Sequence, residues 1–373
     1  MIVPGPAVSV AGRSLPAFRA CGYVGLAAAA GLSQGLVLHA GGSPLMMAAV
    51  IVLACLVFLS LAMAQKLLTG AERLVYYHHE IGVLVAAAGL LALSGHAPLP
   101  YLDATVLGLG AFLACGRCGC TLAGCCHGRP ARRGLRYGTA HAASGFPAAL
   151  AGVPLVPVQL LEAAWVAALV VAGSAVVLGG APPGTALVLY LLLYAVGRFA
   201  LEVLRGDAER PVVAGLSTAQ WTSLAVLAVV ALLEQAGLLP GAGWHLLALP
   251  AVALAGAALI VRRRALLGAA HVLEIAAALD GPPALRRTSL GLRVSTGVSG
   301  GRRHYTLSHD HGLEDAIAAG LARLIARLDR IPGRVELARG PGGVVHVVEL
   351  RQRHAHERRV ADKGRRQQLP DQL

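Results

Sequence analysis

Repeated apolar runs constrain the fold of this chain more than any other feature of its sequence. Eight runs follow one another, at residues 22–40, 44–64, 81–93, 105–122, 158–178, 185–204, 218–233 and 244–261. A helix needs about 20 apolar residues to cross a bilayer, and several runs approach that length. Hydrophobic residues make up 56% of the chain and charged residues 14%, which excludes a soluble globular protein. We predict an all-helical multi-pass membrane protein of about eight spans, or seven. The short third run is tilted, re-entrant or extended into its polar flank.

The segments outside these runs predict three further regions beside the membrane domain of residues 21–264. Residues 1–20 form a polar lead punctuated by proline and glycine. Because the first run begins only after Arg13 and Arg19 and leads into further runs, we predict no cleavable signal peptide. Residues 265–350 have the pattern of a small soluble α+β domain of ββαββ order, with a helix at 313–329. Residues 351–373 are basic and predicted to be disordered.

The net charge of +13 lies largely in the loops and the C-terminal tail. In a membrane protein, such charge is explained by orientation in the membrane and by contact with anionic lipid before it is explained by nucleic-acid binding. We therefore predict no nucleic-acid partner. The arginines near the apolar runs gather on one side of an eight-span alternation. The positive-inside rule would make that side cytoplasmic, although arginines that bind phosphate would distort this count.

A cysteine-rich segment at residues 115–130 interrupts the apolar pattern. It holds five of the seven cysteines of the chain, together with Arg117, Arg129, His127 and four glycines. In one interpretation Cys115, Cys118, Cys120, Cys125, Cys126 and His127 bind a metal or exchange disulfides. However, zinc sites commonly pair two C-x-x-C motifs, and this segment has one. In a second interpretation the glycines and arginines hold an anionic headgroup, and in a third the cysteines are small packing residues.

Two further patterns place carboxylates near arginines in apolar surroundings. Arg198 and Glu202 are four residues apart, with Tyr194 one turn earlier, so they share one helix face. They form either a local ion pair or a phosphate site in which Glu202 orients Arg198 or handles a proton. Glu162 lies inside an apolar run and needs a partner, for which Arg117 or Arg198 is suited. Alternatively, the dipole of its helix stabilises Glu162 at the N-terminus.

The segment Tyr76-Tyr77-His78-His79-Glu80 precedes the third run. The His-His-Glu order suggests a metal, but consecutive residues on a helix point in different directions and rarely share one ion. Tyrosine and histidine are also common at the membrane boundary, where they act as anchors.

Four segments, taken in order, resemble the bacterial prolipoprotein diacylglyceryl transferase family over roughly residues 20–236. They are Gly116-Arg117-x-Gly119-x-x-x-x-Gly124-x-x-x-Gly128-Arg129, Pro157-x-Gln159-Leu160-x-Glu162, Tyr194-x-x-Gly197-Arg198-Phe199-x-x-Glu202-x-x-Arg205 and Leu216-Ser217-x-x-Gln220-Trp221-x-Ser223. The family transfers a diacylglyceryl group from phosphatidylglycerol to the thiol of a lipoprotein-precursor cysteine. A thioether forms and glycerol phosphate leaves. The resemblance also implies seven spans and an outward-facing signature loop.

The resemblance implies a role for each matching residue. Arg117 and Arg198 would bind the headgroup phosphate, supported by the carboxylates of Glu162 and Glu202. The incoming thiol is mostly protonated at neutral pH, and the candidate bases are Tyr77, His78 and His127. Further expected substrate contacts are Gly116, Gly119, Cys120, Gly124, Gly128, Arg129, Gln159, Tyr194, Arg205 and Tyr23. The resemblance implies no cofactor and no metal.

The chain also departs from the family pattern. Cys120 stands where the family has asparagine, and Cys125 where it has an acidic residue. Tyr77-His78-His79 replaces a His-Gly-Gly segment, and Glu80 follows where an apolar residue is expected. The chain therefore resembles a divergent, cysteine-rich member of the family.

We predict a transferase of lipoprotein biosynthesis in the bacterial inner or plasma membrane. Its partners would be phosphatidylglycerol and a lipoprotein-precursor cysteine. Two alternatives come from other classes: a membrane thiol or metal protein that uses the cysteine-rich segment, and a non-catalytic scaffold that binds anionic lipid.

Overall fold

The structure is a computed structural model that describes residues 1–349 except 11, 71–75, 148–149, 208–211, 281–283, 300–301, 330 and 332–334. It divides into two compact units, Met1–Val261 and Arg262–Leu373. The tail predicted to be disordered, residues 351–373, lies outside the described residues.

The first unit is built from long helices. In chain order the helices are α1 (Ala17–His39), α2 (Pro44–Thr69), α3 (Tyr76–Leu93), α4 (Pro98–Ala123), the short α5 (Thr139–Ala143), α6 (Val158–Leu178), α7 (Thr185–Glu202), α8 (Thr218–Gln235) and α9 (His245–Arg264). Six of the described helices, α1 to α4, α6 and α7, are long and apolar enough to cross a membrane. The protein is thus a multi-pass membrane protein, but the predicted count of seven or eight spans is not confirmed. The third run is extended into its polar flank, because α3 starts at Tyr76.

Local sequence explains where several helices begin and end. Ser43 caps α2 by accepting a hydrogen bond from the Met46 amide, and Pro44 occupies the first turn, where its missing N–H costs nothing. At α8, Ser217 and Gln220 form a capping box. Helix α4 ends at Gly124, whose φ of 82° is left-handed, and glycine adopts that conformation without steric cost.

Helix α4 lies at the centre of the first unit, and much of its length is buried. Small residues let its neighbours approach closely, as is usual for helices in lipid. A Cβ added at Gly110 would lie 2.7 Å from both Tyr190 and Val170. At the start of α4, the buried Asp103 accepts hydrogen bonds from the amides of Gly184 and Leu187, each at 2.7 Å. It therefore caps α7 across the bundle, a contact that the sequence analysis did not predict.

The described residues of the N-terminal lead and of the loop after α4 include regular secondary structure. Strands β1 (Ala7–Val10) and β2 (Arg13–Pro16) pair antiparallel, and α1 already begins at Ala17. Strand β3 (Pro130–Leu135) and α5 belong to the connection between α4 and α6. A separate small core packs there, formed by Val3, Leu135, Tyr137, Phe146, Leu150 and Leu155. Strands β4 (Val212–Val213) and β5 (Leu216–Ser217) form a short pair before α8.

The second unit contains a five-stranded antiparallel sheet of order β6-β7-β8-β10-β9. Its elements are α10 (Ala269–Leu279), β6 (Leu285–Arg287), β7 (Leu292–Ser299), β8 (Arg302–His309), α11 (Asp315–Leu328), β9 (Val335–Arg339) and β10 (Val345–Glu349). The predicted ββαββ order was therefore incomplete, because it missed α10 and β6. The apolar stripe of α11 packs into the core of this unit through Ile317, Leu321 and Ile325.

Candidate active site

Two buried arginines and one carboxylate meet where α4 ends, α6 begins and α7 ends. The Nη2 atom of Arg117 donates to Glu162 Oε1 at 2.9 Å. Arg198 Nε lies 3.6 Å from the same oxygen. Arg117 is 8% exposed, Arg198 6% and Glu162 2%. Both of the partners expected for Glu162 are therefore present, and one oxygen atom joins them.

The ion pairs continue beyond Glu162. Arg198 Nη1 donates to Glu202 Oε2 at 2.5 Å, which is the predicted pair on one helix face. Arg205 lies 3.8 Å from the same Glu202 oxygen. Arg205 also forms two parallel hydrogen bonds with Asp207, at 2.9 and 2.6 Å. Three guanidinium groups thus alternate with three carboxylates, so the formal charges of this network cancel.

One donor in the network is unused. Within the described part of the chain, Arg117 Nε is buried without a hydrogen-bond partner. A buried N–H without an acceptor costs about 1–3 kcal/mol. Because this donor belongs to a cation, an anionic acceptor such as a phosphate oxygen would satisfy it best.

Aromatic side chains form one wall of this site. Tyr194 donates to Glu162 Oε1 at 3.3 Å, and its ring contacts the rings of Tyr76, Tyr77 and Tyr190. The hydroxyl of Tyr77 is 2.8 Å from Ser223 Oγ, so the start of α3 meets the start of α8. Tyr77 is buried and does not act as an exposed boundary anchor.

Glu80 lies behind the aromatic wall and is fully buried, with 0% exposure. Its Oε1 atom accepts from the Tyr76 hydroxyl at 3.1 Å. Among the described residues, its Oε2 atom has no hydrogen-bond partner. In the sequence, Glu80 is part of a His-His-Glu order that suggests a metal, and it is also a departure from the family pattern. The sequence signal that could have identified Glu80 is a carboxylate next to an apolar run, because a charged group in a membrane helix costs free energy unless it has a partner.

The structure divides the cysteine-rich segment into two groups. The Sγ atoms of Cys120, Cys125 and Cys126 all lie within 4.8 Å of one another. Cys115 and Cys118 instead lie on the side of α4 that meets α1, near Cys21. The interpretation that five cysteines and His127 form one metal or disulfide site is therefore wrong, because successive turns of α4 point these thiols in different directions.

The group of three thiols borders the ion pairs. The pKa of Cys126 is lowered well below its ordinary value by hydrogen bonds from Cys120 and Cys125, and by the positive charges of Arg205 and Arg117. Gln159 donates to the Cys125 carbonyl at 2.9 Å and to the Tyr137 hydroxyl at 3.1 Å. Gln159 thus holds the loop that carries these cysteines.

Comparison with known proteins finds similarity over the part of the chain that carries this site. Residues 74–234, which contain every member of the ion-pair network, match the family described as prolipoprotein diacylglyceryl transferase. One relative is the phosphatidylglycerol--prolipoprotein diacylglyceryl transferase 2 of Clostridium perfringens, 36% identical over 135 residues, or 35% of this chain and 48% of the relative. Another is the phosphatidylglycerol--prolipoprotein diacylglyceryl transferase of Clostridium tetani, 35% identical over 126 residues, or 34% and 49%. The chain spans about half the length of these curated relatives.

The glycines of the diacylglyceryl transferase signature loop serve different purposes here. A Cβ at Gly119 would lie 3.0 Å from Cys21 on α1, so this glycine permits helix packing. A Cβ at Gly128 would lie 2.2 Å from the Val156 carbonyl oxygen. Gly124 ends α4, and no described residue outside α4 lies within 4 Å of a Cβ added at Gly116. At Gly119 the space beside the backbone is occupied by α1.

The remaining residues expected from the family resemblance lie at varying distances from the arginines. The backbone of Arg129 is joined to the segment that follows α7, because its amide donates to the Leu204 carbonyl at 3.0 Å. His127 is buried, its Nδ1 donates to the Gly128 carbonyl at 3.0 Å, and its ring packs on Phe146. His78 is exposed on α3. Tyr23 is 65% exposed and lies on the side of α1 opposite Cys21 and Gly25, which face α4. The structure thus does not bring Tyr23 to the arginines.

Proposed function

We propose that this protein transfers a diacylglyceryl group from phosphatidylglycerol to the cysteine thiol of a lipoprotein precursor. The names of its relatives and the ion-pair network of the matched segment support this activity. We also propose that it works in the bacterial inner or plasma membrane, with the site end of the helices facing outward. An exported precursor would meet the site only on that side.

The observation that carries the proposal is the buried pair Arg117 and Arg198, joined by one oxygen of Glu162. Two guanidinium groups on neighbouring helices suit a phosphodiester, because each offers a planar set of donors. Arg117 Nε supplies a buried donor that has no partner in the described part of the chain. When the bond between the glycerol carbon and the phosphate oxygen breaks, negative charge grows on that phosphate. The arginines would stabilise the growing charge in place.

Glu162 and Glu202 act as positioning groups in this proposal. Each holds a guanidinium by an ion pair, so the arginines need little reorganisation when lipid binds. Tyr194 fixes the orientation of Glu162 through its hydroxyl. Of the candidate bases, Tyr77 packs on Tyr194, whereas His78 is exposed and His127 is held by its own loop. None of the three forms a hydrogen bond with Arg117 or Arg198 among the described contacts.

The test is rescue of a strain depleted of its diacylglyceryl transferase, together with transfer by the purified protein from phosphatidylglycerol to a precursor peptide. The wild-type protein should rescue growth and modify the peptide, and Arg117→Ala or Arg198→Ala should abolish both. Arg133→Ala is the matched control, because Arg133 is an exposed arginine of β3. If a well-expressed, membrane-inserted wild-type protein binds phosphatidylglycerol without transfer, the protein is a lipid-binding scaffold. Transfer by Arg117→Ala at the wild-type rate would contradict the phosphate role of this arginine.

A further inference from the structure

The thiols of Cys120, Cys125 and Cys126 are brought together by the way α4 ends. Cys120 lies in the last turn of the helix, and Gly124 then reverses the chain with a φ of 82°. Cys126 itself has a φ of 54°. As a result the two cysteines after the turn lie over the one before it, and their Sγ atoms approach within 4.8 Å.

This spacing matches a metal ion with three thiolate ligands. At a zinc–sulfur distance of about 2.3 Å, tetrahedral geometry places sulfur atoms about 3.8 Å apart. The observed Sγ–Sγ separations are at most 4.8 Å. Metal binding would therefore have to shorten them by about 1 Å or less. Thiolates select soft or borderline cations such as Zn²⁺. A site with three protein ligands also keeps a fourth position open, as catalytic zinc sites do.

A bound divalent ion would offset the charge of its three thiolate ligands. Three thiolates within 4.8 Å of one another repel strongly, and a divalent ion reduces their summed charge from −3 to −1. The remaining negative charge would lie beside Arg117 and Arg205, both of which interact electrostatically with Cys126. Cys120 is buried and Cys125 is exposed, so the group has an interior side and an accessible side.

We propose that Cys120, Cys125 and Cys126 hold a divalent thiophilic ion of the zinc class, and that the incoming precursor thiol takes its fourth coordination position. The second part rests on the proposed transferase function. Two of the three ligands, Cys120 and Cys125, stand where the family pattern has asparagine and an acidic residue.

The reaction balances without a further reactant. The precursor thiol releases its proton to water when it binds the ion, because a coordinated thiol is deprotonated. The sulfur then forms a bond to the terminal glycerol carbon of the diacylglyceryl group. The bond from that carbon to the phosphate oxygen breaks, and its electron pair leaves on glycerol phosphate, held by Arg117 and Arg198.

The first experiment is a Co²⁺ titration of the purified full chain in detergent, under reducing conditions. Co²⁺ bound by thiolates gives a near-ultraviolet charge-transfer band and the visible bands of tetrahedral coordination. We expect one ion per chain, competition by Zn²⁺, and weaker binding in Cys125→Ser, by more than the roughly 10–100-fold that loss of an outer-shell partner costs. Cys118→Ser and Cys55→Ser are matched controls and should bind as the wild type does. Absence of the charge-transfer band, or its loss in Cys118→Ser, would overturn the site.

A second measurement needs no variant that has to fold. In the wild-type protein, alkylation of Cys125 should be slowed by Zn²⁺ and restored by a chelator, whereas alkylation of Cys118 should be unchanged by both. Equal alkylation of Cys125 with and without Zn²⁺ would also overturn the site.

The fourth position is tested by adding a precursor peptide to the Co²⁺-loaded protein. The cysteine peptide should change the visible bands, and the same peptide with serine should not. An unchanged spectrum would overturn the role of the ion in binding the thiol. If the protein binds Co²⁺ but never transfers lipid, the transferase function fails and the metal site stands. If metal-free protein transfers lipid at the full rate, the metal proposal fails and the transferase stands.

Discussion

Glu162→Gln is the sharpest test of how the ion-pair network works. One oxygen of Glu162 accepts from Arg117 at 2.9 Å and from Tyr194 at 3.3 Å, and lies 3.6 Å from Arg198 Nε. The amide keeps the shape of the side chain but removes the charge shared by two buried guanidinium groups. Loss of one partner from a buried ion pair costs about 3–5 kcal/mol. We therefore expect the free energy of unfolding to fall by about that amount.

The lipid dependence of this loss distinguishes a binding site from a purely structural network. If phosphatidylglycerol phosphate occupies the arginines, it replaces the missing negative charge in Glu162→Gln. The thermal stability of the variant should then rise more in phosphatidylglycerol nanodiscs than in phosphatidylcholine nanodiscs, compared with wild type. Transfer should fall about 100-fold, because misplacement of catalytic groups by about 1 Å has this effect.

The matched control is Glu234→Gln. Glu234 Oε1 lies 2.6 Å from His245 Nδ1 near the opposite end of the helices. This variant should lose stability equally in both lipids, and its transfer rate at a permissive temperature should be that of wild type. The reasoning is refuted if Glu162→Gln transfers at the wild-type rate, or if its stability responds to the two lipids as that of Glu234→Gln does.

Three further predictions follow from the structure. Arg198→Lys keeps the positive charge, but lysine has no planar group that contacts Glu162 and Glu202 together. Transfer should therefore fall at least about 10-fold while the protein still inserts into the membrane. Full activity in the peptide assay would contradict a role for guanidinium geometry. Asp103→Ala leaves the amides of Gly184 and Leu187 without their acceptor. The free energy of unfolding should therefore fall by about 2–4 kcal/mol, and the transfer rate of the folded protein should not change. A lower transfer rate at unchanged stability would show that Asp103 acts on the site. In Arg133→Cys, the new thiol lies at the site end of the helices. Its labelling by a membrane-impermeant maleimide in intact spheroplasts should exceed the labelling of the wild-type protein, whose own exposed cysteines set the background. An excess that appears only after lysis would place the site on the inner side.

The local features of this protein could be predicted from its sequence. Apolar runs of membrane-crossing length located the helices, and α6 has the predicted bounds, Val158–Leu178. The Arg198–Glu202 pair was also predictable from the sequence, because residues four apart are just over one helical turn apart and share a helix face. The order of the four family segments is likewise a property of the sequence itself.

Contacts between distant segments were decided by the tertiary structure alone. Arg117 and Arg198 share one oxygen of Glu162. This contact depends on how α4, α6 and α7 pack against one another along their lengths. The sequence could name these partners but not choose between them. Asp103 capping α7 and Glu80 lying behind the tyrosines depend on the same helix packing.

The cysteine-rich segment shows the physical reason most clearly. Along the chain its five cysteines look like one group, because they are close in sequence. A helix turns each successive side chain by about 100°, so Cys115 and Cys118 face α1 while Cys120 meets the loop that returns after Gly124. Chain connectivity decides which cysteines are close in sequence. The rotation of the helix and the residue at which it ends decide which of them are close in space.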